Sequence, residues 1–139
     1  MNEVVGTRKI KDKDKVLQAL SDKKTLLGCT PGVKEIDGDK FTAQVKVGPL
    51  NVEVEGILKE FKVSGSEVSN LMEVTGPGIV VVITTSVKVY DDHLEWKASY
   101  DITGPLARAI NNTIDRKAKE IATEIVECTL SSANVSDNS

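Results

Sequence analysis

From Leu106 to about Leu130 the chain contains neither Pro nor Gly, and Leu106, Ile110, Ile114, Ile121 and Ile125 recur at three- or four-residue intervals or twice that. This is the period of one apolar face of an α-helix. At about 1.5 Å per residue the helix spans roughly 37 Å, the full length of a small domain, so its apolar stripe has to lie across another large surface. With 139 residues in all, there is room for one domain and one such surface. The segment before the helix supplies it.

That segment reads as β-structure. Val4, Val5, Thr7 and Ile10 open the chain as a strand. Asp12 or Asp14 then caps a short helix carrying Val16, Leu17 and Leu20, and Asp22 caps a second carrying Leu26 and Leu27, which Gly28-Cys29-Thr30-Pro31-Gly32 stops. Between Val33 and Thr103 apolar and polar residues alternate in runs punctuated by Asp37-Gly38-Asp39, Gly48-Pro49, Ser64-Gly65-Ser66, Gly76-Pro77-Gly78 and Asp91-Asp92-His93. Such punctuation predicts a six-strand antiparallel meander, with Gly56 as a bulge or bend in its third strand. The last strand alternates most cleanly: Leu94, Trp96, Ala98, Tyr100 and Ile102 face one side, Glu95, Lys97, Ser99 and Asp101 the other.

The expected class is α+β: one opening strand, two short helices, the meander, and a long C-terminal helix gripped by a twisted sheet. Residues 1–130 form this domain, and the polar stretch 131–139 reads as a disordered tail. Aromatic residues are 4% of the chain, so Val, Ile, Ala and Thr face the helix. Two outcomes stay open, a filled core and a cavity under the helix.

Composition excludes several functions. A net charge of −3 argues against nucleic-acid binding, which rests on clustered positive charge. No apolar run approaches the roughly 20 residues of a membrane-spanning helix, and Met1 to Gly6 does not read as a secretory signal, so the expected compartment is the cytoplasm. The single histidine, His93, falls in a hairpin turn, where it reads as exposed. Cys29 and Cys128 have no second Cys or His nearby, which excludes zinc ligation by known spacing. In a cytosolic chain two free thiols are expected, Cys128 as a small core residue and Cys29 as a turn residue. Asp37-Gly38-Asp39 lacks the remaining ligands of a calcium loop. Gly76-Pro77-Gly78 precedes a strand, so no helix N-terminus waits there for an anion. Arg116, Lys117 and Lys119 read as a solvated helix face. No catalytic residue, metal site or cofactor emerges.

The order of elements and several local motifs resemble the carbon monoxide dehydrogenase G-subunit family of the START-like (SRPBCC) helix-grip superfamily. The carrying residues are Leu17-Gln18-Ala19-Leu20-Ser21-Asp22, Leu26-Leu27-Gly28-Cys29-Thr30-Pro31-Gly32, Val45-Lys46-Val47-Gly48-Pro49, Gly56 and Gly104-Pro105-Leu106-Ala107. One departure is Thr75-Gly76-Pro77-Gly78-Ile79-Val80-Val81-Val82, more apolar than the glycine-rich stretch usual in the family. The resemblance implies a seven-stranded sheet wrapped on the C-terminal helix with a hydrophobic ligand cavity between them. It further implies an accessory role, in maturation or membrane attachment, beside a molybdenum-containing carbon monoxide dehydrogenase.

On this reading the chain is a non-catalytic module binding an apolar, quinone- or lipid-like molecule. Val81, Ile83, Thr85, Val87, Trp96, Ala98, Tyr100, Leu106, Ile110 and Ile114 are expected to line its cavity, with the Tyr100 hydroxyl placed to orient a ligand carbonyl. A second reading is an interaction protein that docks on the dehydrogenase or its ATPase chaperone. A third is a small-molecule enzyme of the superfamily.

Overall fold

The structure, a computed structural model, describes residues 2–47 and 49–132, with side chains at all of these except 47, 50 and 109–115. In chain order the elements are β1 (Asn2–Lys9), α1 (Lys13–Leu20), α2 (Lys23–Gly28), β2 (Val33–Asp37), β3 (Lys40–Val47), β4 (Leu50–Ser64), β5 (Glu67–Gly76), β6 (Ile79–Val89), β7 (His93–Thr103) and α3 (Ala107–Ser132). The strands form one seven-stranded sheet in the order β1-β7-β6-β5-β4-β3-β2, antiparallel throughout. β2 to β7 are the expected meander, and β1 adds to the free edge of β7. Because β1 and β2 occupy opposite edges, α1 and α2 must carry the chain from one edge to the other. They do so on the face that α3 covers, since both touch α3.

Local chemistry sets the helix starts. The Asp12 carboxylate accepts the Lys15 N–H at 3.2 Å, and that of Asp22 accepts the Lys24 N–H at 2.9 Å, each satisfying an amide that the first turn leaves without a backbone partner. α3 begins one residue after Leu106 and runs on through Ser132, so the first two residues of the expected polar tail are helical. The remainder of that tail lies outside the described residues, as does Gly48.

Gly56 is not the bulge. It pairs in regular register with Phe41 on one side and Val74 on the other, and a Cβ there would overlap the Phe41 ring. Its lack of a side chain is what lets that ring lie flat across the strand. Gly6 does the same for Trp96, its partner on β7. The irregularity in β4 comes later, between Leu58 and Glu60, where two residues of β4 advance against one of β5.

The thiols also differ from expectation. Cys29, the C-cap of α2, and Cys128 on α3 form a disulfide with Cα atoms 5.6 Å apart, closing a separation of 99 residues. Sequence spacing carries no information about this approach, which arises because α2 and α3 are packed side by side. The bridge ties the C-terminal half of α3 to the turn leading into β2.

Two apolar clusters form the core. One joins Ile10, Val16, Val87, Val89, Leu94 and Trp96 to Val126 and Leu130 of α3. The other comprises Leu27 of α2 with Phe41, Ala43, Val54, Leu58 and Met72 of β3, β4 and β5.

Candidate functional site

Inward-facing residues of neighbouring strands align across the sheet in rows fixed by register. From one end to the other the rows are Phe41–Gly56–Val74–Val81–Ile102, Leu58–Met72–Ile83–Tyr100, Phe61–Asn70–Thr85–Ala98 and Val63–Val68–Val87–Trp96–Gly6. The bulge in β4 sets the last two. Strict alternation from Leu58 would send Glu60 inward, whereas the extra residue resets the phase so that Phe61 faces the interior and Glu60 is exposed.

Over these rows α3 presents Ala118, Ile121, Ala122, Ile125, Val126 and Thr129, one stripe at intervals of one, three or four residues. Two of the six are alanines. Where a helix shows Ala to a floor of Val, Thr and Ala, the side chains do not meet, and a cavity of about 250 Å³ lies between them. Ala19 and Leu20 of α1, Leu26 of α2 and the Thr30-Pro31 turn complete its wall.

Exposure grades along the cavity. Val87, Trp96, Ala98, Tyr100 and Val126 are buried, while Val45, Val52, Val74, Ile79, Val81 and Leu106 are only half-buried. The space is thus closed around Trp96 and reaches toward solvent beside Leu106. The turn between β5 and β6 holds Leu106 there: the Leu106 N–H donates to the Gly78 carbonyl at 2.9 Å. Gly78 has φ +73°, a conformation L side chains rarely adopt.

Among the described residues the lining is apolar apart from Thr30, Asn70, Thr85, Tyr100 and Thr129, and it contains no Asp, Glu, Lys, Arg, His or Cys. Thr30 is occupied, its hydroxyl donating to the Leu26 carbonyl at 3.1 Å. Tyr100 also has a partner within the protein. Titratable chemistry sits elsewhere. His93 opens β7 at the hairpin, stacked on Tyr90 with ring centroids 4.6 Å apart, its Nδ1 2.6 Å from Asp92 Oδ1 and its Nε2 3.4 Å from Glu95 Oε2. The hydrogen bond to Asp92 raises the pKa of His93 above the ordinary value and lowers that of Asp92. Among the described residues no group of His, Cys, Asp and Glu is placed to hold a metal ion.

Of the residues singled out in the sequence, the structure brings Val81, Ile83, Thr85, Val87, Trp96, Ala98, Tyr100 and Leu106 to the cavity wall. The side chains of Ile110 and Ile114 lie outside the described set. Sequence reasoning missed Asn70, Phe61 and Met72 on the floor and Ala118, Ala122 and Thr129 on the helix. The alanines share the helical period of Ile121 and Ile125 and were legible by spacing; Phe61 was not, because its direction depends on the bulge.

Among solved structures, a conserved protein from Geobacillus kaustophilus superposes with a TM-score of 0.73 at 17% identity, covering 96% of this chain and 95% of its own. An aromatase/cyclase from a Streptomyces species superposes with a TM-score of 0.63 at 11% identity, covering 96% and 93%. Ara h 8.0201 follows the same path, with a TM-score of 0.56 at 13% identity over 94% and 98%. These likenesses establish the helix-grip fold. No match to a curated protein accompanies them. The model of the CoxG family, the G-subunit of carbon monoxide dehydrogenase, matches residues 6–134. Nearly the whole domain, from β1 through α3, therefore falls within that match, and the chain belongs to the carbon monoxide dehydrogenase G-subunit (CoxG) family.

Proposed function

We propose that this chain is a non-catalytic module that holds an apolar, quinone- or lipid-like small molecule between the sheet and α3, as an accessory to a molybdenum-containing carbon monoxide dehydrogenase. The observation that supports it is the cavity of about 250 Å³ whose described lining includes no charged side chain. An apolar void of that size forfeits packing energy unless something fills it. The same lining offers no carboxylate, imidazole or thiol to act as base or nucleophile, which favours binding over catalysis. The link to the dehydrogenase rests on family membership.

Trp96, the only tryptophan, lines the cavity and reports on it directly. Short-chain quinone analogues or fatty alcohols should change its emission saturably, and Ala98→Phe, which fills space beside it, should abolish the response while preserving the melting transition. An unresponsive Trp96 across such a panel transfers the assignment to the second reading, docking on the dehydrogenase or its ATPase chaperone.

The reading places the protein in the cytoplasm, and the Cys29–Cys128 bridge pulls against that compartment, since structural disulfides are rare in the cytosol of mesophiles. Alkylating thiols in intact cells before lysis distinguishes the two. Alkylated Cys29 and Cys128 support a reducing compartment, and a protected bridge supports an oxidising one.

A further inference from the structure

We propose that Asn70 and Thr85 form a hydrogen-bonding seat inside the cavity that selects a neutral ligand bearing a carbonyl or hydroxyl oxygen over a hydrocarbon and over an ionised acid. The inference rests on the ligand-binding reading above and specifies the chemistry of what is bound. Asn70 of β5 and Thr85 of β6 are directly opposite one another in the ladder, which puts their Cβ atoms about 5 Å apart on the same face. Both line the cavity and both are half-buried. Their row begins at Phe61 and ends at Ala98, and the rows on either side are Leu58–Met72–Ile83–Tyr100 and Val63–Val68–Val87–Trp96.

Neither side chain makes a hydrogen bond to another described residue, whereas Thr30 and Tyr100, also on the wall, are already partnered. No polar side-chain atom is sealed off without a partner among the described residues, so the free groups of Asn70 and Thr85 open onto the cavity. Water can reach them in the cavity, and a ligand that displaces this water has to replace its hydrogen bonds. Each can both donate and accept. A ligand carbonyl at this point therefore finds donors, and a ligand hydroxyl finds donor and acceptor both, while a plain hydrocarbon leaves the pair unsatisfied. An ionised carboxylate would shed its water with no cation in the described lining to replace it.

Size narrows the class further. An engineered apolar cavity of about 150 Å³ in another protein takes one benzene, so the space here suits a molecule of about ten carbons, or the head of a longer one that extends past Leu106.

Three probes of ten carbons each, 4-phenylbutan-2-one, butylbenzene and 4-phenylbutanoate, titrated calorimetrically at pH 8, test the seat. The ketone should bind at least about tenfold more tightly than the acid, which is fully ionised there. Asn70→Leu should weaken the ketone about tenfold and leave butylbenzene within about twofold, and the isosteric Thr85→Val should weaken the ketone about threefold. Equal losses for ketone and hydrocarbon in both variants overturn the seat, and so does an acid that binds as well as the ketone. Butylbenzene bound without any preference for the ketone removes the seat and leaves the ligand-binding reading standing; no binding of any probe removes both.

Discussion

The two apolar clusters are built from the same residue types yet are closed in different ways. Around Val16 and Leu94, both 0% exposed, the strands β6 and β7 meet α1 on one side and Val126 and Leu130 of α3 on the other. Around Leu27, Phe41 and Val54 the strands β3, β4 and β5 meet α2, and no described residue of α3 joins them. The long helix thus contributes side chains to one cluster and not to the other, although it also approaches β3 and α2, and the cavity lies between helix and sheet. A twisted sheet and a straight helix cannot stay in contact along their whole length. Ala118 and Ala122 both line the cavity, and Ala122 also packs against the first cluster. The disulfide fastens α3 to the C-cap of α2, the helix whose Leu27 belongs to the second cluster.

The largest expected effect breaks that fastening. Because the bridge closes so long a segment, the chain-entropy model gives it about 4–5 kcal/mol, so reduction, or Cys29→Ser with Cys128→Ala, should lower the melting temperature by many degrees. Amide exchange in the reduced protein should rise first in α2 and the β2–β3 side. Exchange that rises uniformly would mean that the second cluster does not depend on the bridge.

Next in size is the contrast between the clusters themselves. Leu94→Ala empties a fully enclosed site and should cost about 2–5 kcal/mol, whereas Val81→Ala, on the floor near the cavity mouth, only enlarges space that exists and should cost less than about 1 kcal/mol. Urea unfolding of the two variants compares them directly. Similar costs would show that the region around Val81 is packed as tightly as the region around Leu94.

The smallest effect belongs to the hairpin beyond the closed cluster. The hydrogen bond that the His93 ring donates to Asp92 raises the folded-state pKa of His93 above 6.5, so the contribution of the protonated ring is complete below that value and is lost as pH rises through the higher folded one. Asp92 is shifted the other way, and its contribution is present above 3.8 and lost as pH falls through its depressed folded value. Asp92 is exposed and His93 half-buried, and both are solvent-screened, so the melting temperature should fall only slightly as the imidazole deprotonates. His93→Gln should flatten that step, and an unchanged profile would assign the step to another group.

Much of the fold was legible in the chain because it is written at short range. Asp12 and Asp22 announce helix starts through the amides they accept, and Leu94 to Ile102 declares its inward face by alternation. The strand order of the meander follows from turns too short to let consecutive strands separate. Seven of the residues expected at the cavity line it on the same grounds, since direction along β6 and β7 is a matter of parity. Gly56 shows where such reasoning stops. A glycine in a strand signals either a bend or an approaching group, and only the position of Phe41, fifteen residues away, makes it the second.

By itself, then, the sequence determined the element list, the apolar faces and the family, all of which depend on spacings within a turn, a strand or a helix. Tertiary structure decided whatever depends on which distant segments touch. The helix adds side chains to one cluster and not to the other, Phe61 replaces Glu60 inside because one ladder step slips, and Asn70 stands opposite Thr85 because β5 and β6 pair in that register. Cys29 reaches Cys128 for the same reason, across 99 residues whose local patterning contains no trace of the contact.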